Sequence, residues 1–273
     1  MQKTILITGA SAGLGKATAK LFQSKGWNVI ATMRNPEKET ELSTLENVTL
    51  LALDVTNPEQ ITKAVAEITS KQEIDVVFNN AGYGLAGPLE HASDAQIVQQ
   101  IETNLTGVIR MTKAFIPYFK KQRSGLFITT TSIFGYSSCP MSSVYNATKW
   151  ALEGFSESIS YDLALFNIGI KTVAPGGIKS NFVNAAQFVT HEEYRILNDS
   201  MGALIQNESL FRFNEVDEIA AVVFEAATDG KDQLRYLAGI DAVRTAQQRQ
   251  EKGSENFRKD LREALHLENP FHI

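Results

Sequence analysis

The chain has 273 residues, 43% of them hydrophobic, with 26 basic residues against 31 acidic ones and a net charge of −5. That size and apolar share suit a single domain with a substantial core, and the negative balance argues against a nucleic-acid binder driven by bulk electrostatics. The lone cysteine, Cys139, excludes a disulfide framework within the chain, and the four histidines (His91, His191, His266 and His272) show no metal-ligand spacing. No apolar run approaches the ~18 residues of a membrane span, and Met1 leads straight into KTILIT without a signal-peptide pattern. The expectation is a cytoplasmic protein with no metal.

Short apolar strands alternate with amphipathic helices along most of the chain. Residues 4–8 (TILIT) read as a strand and 13–25 as a helix; strands follow at 28–33 (NVIATM) and 48–53 (VTLLAL), then a helix over 58–71. A strand at 74–79 (IDVVFN), a long helical stretch from about 94 to 120 and a strand at 125–131 (GLFITTT) come next. From 143 to about 166, Val144, Ala147, Ala151, Leu152, Phe155, Ile159 and Leu163 supply the apolar period of one helix. Further strands stand at 168–174 (IGIKTVA) and 234–238 (LRYLA). Strands apolar on both faces, each followed by a helix, predict an α/β fold whose parallel sheet is covered on both sides. No linker divides the chain: residues 1–245 are expected to form one domain, and 246–273 a charged, exposed helical extension of it.

Directly after the first strand stands Thr8-Gly9-Ala10-Ser11-Ala12-Gly13-Leu14-Gly15, which opens the first helix. In open α/β sheets the ligand crevice lies at the carboxyl ends of the strands, where a helix N-terminus attracts phosphate. Glycines suit such a turn because a Cβ would keep the backbone away from a pyrophosphate. The spacing is GxxxGxG, a variant of the Rossmann-type fingerprint. The second strand ends Ala31-Thr32-Met33-Arg34-Asn35, with an arginine where NAD-binding folds place a carboxylate. A guanidinium binds a 2′-phosphate that a carboxylate would repel, so the expected cofactor is NADP (NADPH) rather than NAD.

Tyr145 and Lys149 stand four residues apart in YNATKWALEGF, and Ser132 precedes the tyrosine by thirteen positions. The i, i+4 spacing puts phenol and ammonium on one helical face. A free tyrosine has a pKa near 10, and a neighbouring cation is expected to lower it toward the range useful for acid–base work.

With these motifs in this order, and with Asn79-Asn80-Ala81-Gly82 at the end of a strand, the chain resembles the short-chain dehydrogenase/reductase family over about residues 3 to 240. The resemblance is to the shorter-chain branch, and it implies a doubly wound Rossmann-type sheet in a single domain. It implies catalytic roles for Asn104, Ser132, Tyr145 and Lys149. It also implies a cofactor site made of Gly9, Ser11, Gly13, Leu14, Gly15, Arg34, Asp54, Val55, Asn80, Ala81, Gly82, Tyr145, Lys149, Pro175, Gly176, Ile178 and Ser180. Asp54 matches the residue that contacts adenine, and the Pro175-Gly176 motif the backbone that holds the nicotinamide carboxamide. Ser180 stands where the family usually has threonine. Tyr145 would exchange a proton with the substrate oxygen, Ser132 would stabilise that oxygen, and Lys149 would hold the ribose and lower the phenol pKa. Asn104 would hold a water that links Lys149 to solvent.

Residues 181–214 are expected to form a substrate lid whose Phe182, Phe188, Tyr194, Ile196, Leu197, Met201, Leu204, Ile205, Leu210 and Phe211 suit a hydrophobic small-molecule carbonyl or alcohol. Tyr83, Phe134, Tyr136, Cys139 and Met141 are expected pocket walls. The alternative reading is a catalytically silent NADP(H)-binding sensor or scaffold, against which stands the presence of both Tyr145 and Lys149. A homodimer or homotetramer is expected by analogy with the family.

Overall fold

The computed structural model describes residues 2–180, 182 and 186–268. Asn181 and residues 183–185 of the expected lid, and 269–273 of the expected tail, lie outside the described residues. The first half of the chain runs β1 (Thr4–Thr8), α1 (Gly13–Ser24), β2 (Asn28–Met33), β3 (Val48–Ala52), α2 (Pro58–Lys71), β4 (Val76–Asn79) and β5 (Leu85–Ala86). It continues with α3 (Asp94–Ile101), α4 (Gly107–Gln122), β6 (Leu126–Thr130), α5 (Ser143–Ala164), β7 (Gly169–Pro175) and β8 (Ile178–Lys179). β9 (Gln187–Phe188), α6 (Arg195–Gln206), β10 (Asn214–Glu215), α7 (Val216–Thr228), β11 (Arg235–Ala238), α8 (Ile240–Lys252) and α9 (Ser254–Ala264) complete it.

Seven strands form one parallel sheet in the order β11-β7-β6-β4-β1-β2-β3. All five residues of β1 are buried, and Ile5 and Ile7 face one layer while Leu6 faces the other. One layer packs α1 and α7 on the sheet through Phe22, Ile219 and Val223. The other packs α2, α4 and α5 through Ile61, Met111, Phe115, Phe119 and Leu163. The doubly wound α/β expectation is met. Chain order runs outward from β1 in one direction and from β4 in the other, so the two strand ends part and leave a crevice.

Three details differ from the sequence reading. The stretch from 94 to 120 is not one regular helix: residues Glu102–Thr106 wind as a π turn between α3 and α4. Such wide turns aim side chains that a regular helix would point elsewhere. Gly107 follows it because a Cβ there would come within 2.9 Å of the Val55 side chain. Second, α8 starts at Ile240, so the boundary expected at 245 falls inside a helix, and Asp241 of its first turn is buried. Third, β5 pairs with β9 and β8 with β10, in two-residue ladders too short to show a period in sequence. Among the described residues, no helix is long and apolar enough to cross a membrane.

The face of β7 and β11 under α7 carries a buried ion pair. Lys171 Nζ lies 2.7 Å from Asp229, and the Tyr236 hydroxyl donates to the same carboxylate at 2.7 Å. Burial would raise the Asp229 carboxyl, but the bonds from Lys171 and Tyr236 outweigh it and hold the group at about 2, below the ordinary 3.8. A depressed folded-state value means stability that is present above the ordinary aspartate pKa and lost as pH falls toward about 2. Asp229→Asn is therefore expected to cost about 2 kcal/mol in urea unfolding at neutral pH. The gap between variant and wild type should close as the pH is taken down through that window.

Candidate active site

The crevice is built on a polar knot between the ends of β1 and β4. The Thr8 hydroxyl accepts from the backbone N–H groups of Asn80 (2.9 Å) and Ala81 (3.0 Å) and donates to the Phe78 carbonyl (3.4 Å). Asn80 Nδ2 donates back to the carbonyls of Thr8 and Gly9 at 3.1 and 3.2 Å. The turn passes so near that a Cβ on Gly9 would lie 2.8 Å from Ala81 Cα, and Gly9 has φ +66°. A Cβ on Gly15 would lie 2.4 Å from the Gly9 carbonyl. These glycines let the backbone close on itself. The first turn of α1 has no side-chain cap, so its N–H groups remain open to an anion.

Above the knot lies a cleft of about 1300 Å³, more than the ~300–1,000 Å³ that holds one drug-sized molecule. Gly9, Ser11, Gly13 and Leu14 line it from the glycine turn, Arg34 and Asp54 with Val55 from the ends of β2 and β3, and Asn80, Ala81 and Gly82 from the end of β4. Ser132, Tyr145, Lys149, Pro175, Gly176, Ile178 and Ser180 line it too. Ser180 reaches across to the glycine turn, 3.6 Å from where a Cβ on Gly13 would sit. Gly15 and Asn104 do not line the cleft; both act behind its wall. Arg34 is exposed and forms no ion pair among the described residues. An extended run of open N–H groups and close-packed glycines, with a free guanidinium beyond it, fits a dinucleotide.

Ser132, Tyr145 and Lys149 meet because Asn146 ties the first turn of α5 to the loop after β6. Its Nδ2 donates to the carbonyls of Phe134 (2.9 Å) and Ser137 (2.8 Å), and its Oδ1 accepts from Cys139 N (3.3 Å). Tyr145 packs edge-on against Phe134 and Phe182, each with its ring centroid 6.1 Å away. Lys149 is 6% exposed, and its Nζ donates to the Thr130 carbonyl at 2.9 Å, 5.6 Å from the Tyr145 ring centroid. The electrostatics correct one expectation. Burial pushes the Tyr145 phenol up to about 12, with Ser132 pulling the other way, and Lys149 does not bring it down. The ammonium is itself pushed down to about 8 by burial, against a pull upward from Glu153. The phenol thus holds its proton at neutral pH.

A family model described as short chain dehydrogenase matches residues 3–188. The chain belongs to the short-chain dehydrogenase/reductase family. A 3-ketodihydrosphingosine reductase of Bacteroides thetaiotaomicron is 39% identical over 181 residues, 66% of this chain and 65% of that protein. The chain therefore spans just under two thirds of that relative. Oxidoreductase BOA17 of Botryotinia fuckeliana is 35% identical over 90% of this chain and 92% of its own. A short-chain dehydrogenase structure from Streptomyces avermitilis superposes with TM-score 0.84 at 30% identity, covering 96% of this chain and 95% of that one. The NADP-bound structure of ElxO gives TM-score 0.73 at 28% identity, over 87% and 98% of the two chains.

Two expected positions meet a specific geometry: Asn104, from the family resemblance, and Tyr136, from its place after β6. The Asn104 amide bonds one residue twice: Oδ1 accepts from Tyr83 N (3.1 Å) and Nδ2 donates to Tyr83 O (2.9 Å). Its side chain thus fixes the segment after Gly82. Tyr136 is no pocket wall; its hydroxyl donates to Glu153 at 3.2 Å, while Tyr83, Phe134, Cys139 and Met141 do line the cleft. Burial raises the Cys139 thiol to about 12, which leaves it a neutral packing group.

Of the segment expected as a lid, Phe182, Phe188, Met201, Ile205 and Phe211 line the cleft. His191 stacks on His91 with centroids 3.9 Å apart and planes 13° apart, and Tyr194 donates to Glu90. His91, His191 and Glu193 are the one group of three potential metal ligands among the described residues, all exposed. Near-parallel stacked imidazoles offer no point that lies in both ring planes, so the pair serves as a contact between segment and rim.

Sequence reading missed Asp241. Its Oδ2 accepts from Gly177 N at 2.7 Å and its Oδ1 from Asn214 Nδ2 at 2.8 Å. A Cβ on Gly176 would meet that carboxylate at 2.2 Å. The first turn of α8 thus clamps the backbone after β7. No local pattern marks a lone aspartate after Gly239. Asp241→Ala leaves the Gly177 N–H unpaired, at about 1–3 kcal/mol, while Asn214 Nδ2 keeps the carbonyls of Gly177 and Arg212. It is expected to lower Tm and weaken NADPH binding roughly tenfold in a fluorescence titration, since that energy is drawn from the cofactor wall.

Proposed function

We propose that the chain is an NADP-dependent oxidoreductase that interconverts a carbonyl and an alcohol on a hydrophobic small molecule. The observation that carries the reading is the meeting of Ser132, Tyr145 and Lys149 on one wall of the cleft that the glycine turn and Arg34 also line. When bound, the nicotinamide supplies the hydride that adds to the carbonyl carbon. The protein's part is to deliver a proton and to stabilise the oxygen. Tyr145 holds its proton at neutral pH, the form that donation to a carbonyl oxygen requires. Ser132, held by accepting from Phe134 N at 3.1 Å and bonded to the Tyr145 phenol, has the O–H that would donate to that oxygen. Lys149 contributes a buried charge beside the phenol and N–H donors for a ribose. Asp54 and the Pro175–Ile178 backbone fit the adenine and carboxamide ends, and Arg34 fits the 2′-phosphate.

The hydrophobic substrate is supported by Leu85, Met141, Phe182, Val189, Met201 and Phe211, which line the cleft, Phe182 beside Tyr145. The long-chain ketone named for the Bacteroides relative is the first substrate class to try. In an NADPH-oxidation assay with hydrophobic ketones, Tyr145→Phe is expected to cut kcat by roughly 100-fold or more with NADPH affinity nearly unchanged. Turnover close to wild type in that variant would remove Tyr145 as the proton donor. Arg34→Asp is expected to weaken NADPH binding by about 10- to 100-fold and to spare NADH, because it replaces charge-assisted bonds to phosphate with repulsion. An NADPH affinity untouched by that change would overturn the cofactor preference.

A further inference from the structure

Lys149 is 6% exposed and donates one hydrogen bond among the described residues, to the Thr130 carbonyl. A single neutral acceptor is little compensation for an ammonium taken out of water. Glu153 lies one helical turn further along α5, on the same face, and is 5% exposed. Three donors from three places hold its Oε2: the Tyr136 hydroxyl after β6 (3.2 Å), the Thr172 hydroxyl on β7 (3.2 Å) and Arg235 Nε on β11 (3.1 Å). Its Oε1 is buried and accepts no hydrogen bond among the described residues. The stem passes close over Gly135, where a Cβ would stand 3.1 Å from Glu153 Cγ. One oxygen held three times and the other bare describes a negative charge fixed in place, acting through space rather than through a bond to the lysine.

We propose that Glu153 is a positioning residue of this site: a fixed buried charge that keeps the Lys149 ammonium charged, with Arg235 limiting how much of that charge Lys149 feels. The proposal rests on the reading of Lys149 as a ribose-binding cation. Among the described residues, Glu153 is the charged group that acts on the lysine. On its own helix the titratable neighbours are Tyr145 and Glu153. The loop after β6 brings Tyr136 and the neutral Cys139 thiol, and β11 brings Arg235, which also pairs with Glu157. β7 turns Thr172 toward α5 and spends Lys171 on Asp229 behind the sheet. The π turn brings Glu102, already paired with Arg110 at 2.7 Å, and α3 carries Asp94 at its exposed first turn. Burial brings the lysine to about 8 even with Glu153 in place, so cofactor binding that needs the ammonium is present below that pH and lost above it.

The experiment is a fluorescence titration of the full chain with NADPH, and with NADH beside it, from about pH 6 to about pH 10, spanning the window of a depressed lysine. Glu153→Gln keeps the shape and removes the charge, and is expected to bring the alkaline loss of affinity about one pH unit lower. Arg235→Gln frees the Glu153 charge and is expected to move the same limb upward. A role in packing alone would lower Tm in both variants and leave both limbs in place, and that result overturns the proposal. So do limbs that move in the same direction, or a wild-type affinity that is flat across the range. Because binding is read rather than turnover, limbs that move in opposite directions in a protein that reduces no carbonyl would sustain the role of Glu153 and sink the oxidoreductase reading.

Discussion

Two neighbouring parallel strands that part at their carboxyl ends leave backbone donors and acceptors without a ladder, and those groups must be satisfied before a crevice can exist. Thr8 and Asn80 do this at the end of β1 and β4. One hydroxyl closes three backbone groups, and one side-chain amide takes two carbonyls. The same amide reaches further. Its Oδ1 accepts from the Thr130 hydroxyl at 3.3 Å, and the Thr130 carbonyl in turn accepts from Lys149. A single hydrogen-bonded run thus joins the glycine turn to the lysine of α5. The glycine-turn end and the Tyr145–Lys149 end of the cleft are held in register by polar bonds as well as by the sheet.

Burial acts on the two ends of the Tyr145–Lys149 pair in opposite senses. It penalises the charged form of each, so the phenol rises to about 12 and the ammonium falls to about 8. Both shifts keep or move a group toward neutrality, yet at neutral pH both side chains still carry their protons. A site that must hand a proton to an oxygen is served by that state. The cost falls on the lysine, whose charge survives only if something nearby favours it. Among the described residues, the Glu153 carboxylate is the group that does so.

The parts of this arrangement legible in sequence are those fixed by local periodicity and spacing. The apolar runs at Thr4–Thr8 and Asn28–Met33 define their strands to the residue because both faces are buried. Tyr145 and Lys149 share a face because any helix would make them do so. What stayed hidden depends on contacts between distant segments. The π turn at Glu102–Thr106 answers to Tyr83 and Val55, and nothing in its own residues announces it. Asp241 matters only because the chain returns after β11 to Gly177. Tyr136 looked like a pocket wall from its place after β6, but Glu153 draws its hydroxyl behind the helix. Glu153 itself was visible at i+4 from Lys149; its burial and its three donors were not.

The two halves of the cleft are secured by different physics. On the cofactor side, close contact fixes the backbone: at Gly9, Gly15 and Gly176 a Cβ would fall between 2.2 and 2.8 Å from a neighbour, so the turns have one way to pack. On the substrate side, the segment over the cleft is attached by short pairings. Gln187 N donates to Gly84 O and Val189 N to Ala86 O, each at 2.8 Å, and the His91–His191 stack and the Tyr194–Glu90 bond hold the rim. Breaking these contacts leaves the seven-stranded ladder and the Thr8–Asn80 knot intact. Regions with few buried contacts and exposed hydrogen bonds open at a fraction of the global stability. Opening of the cleft can therefore be uncoupled from the geometry of its polar wall: the phenol, the serine and the lysine are anchored to β6 and α5, and the apolar walls hang mainly on loops beside them.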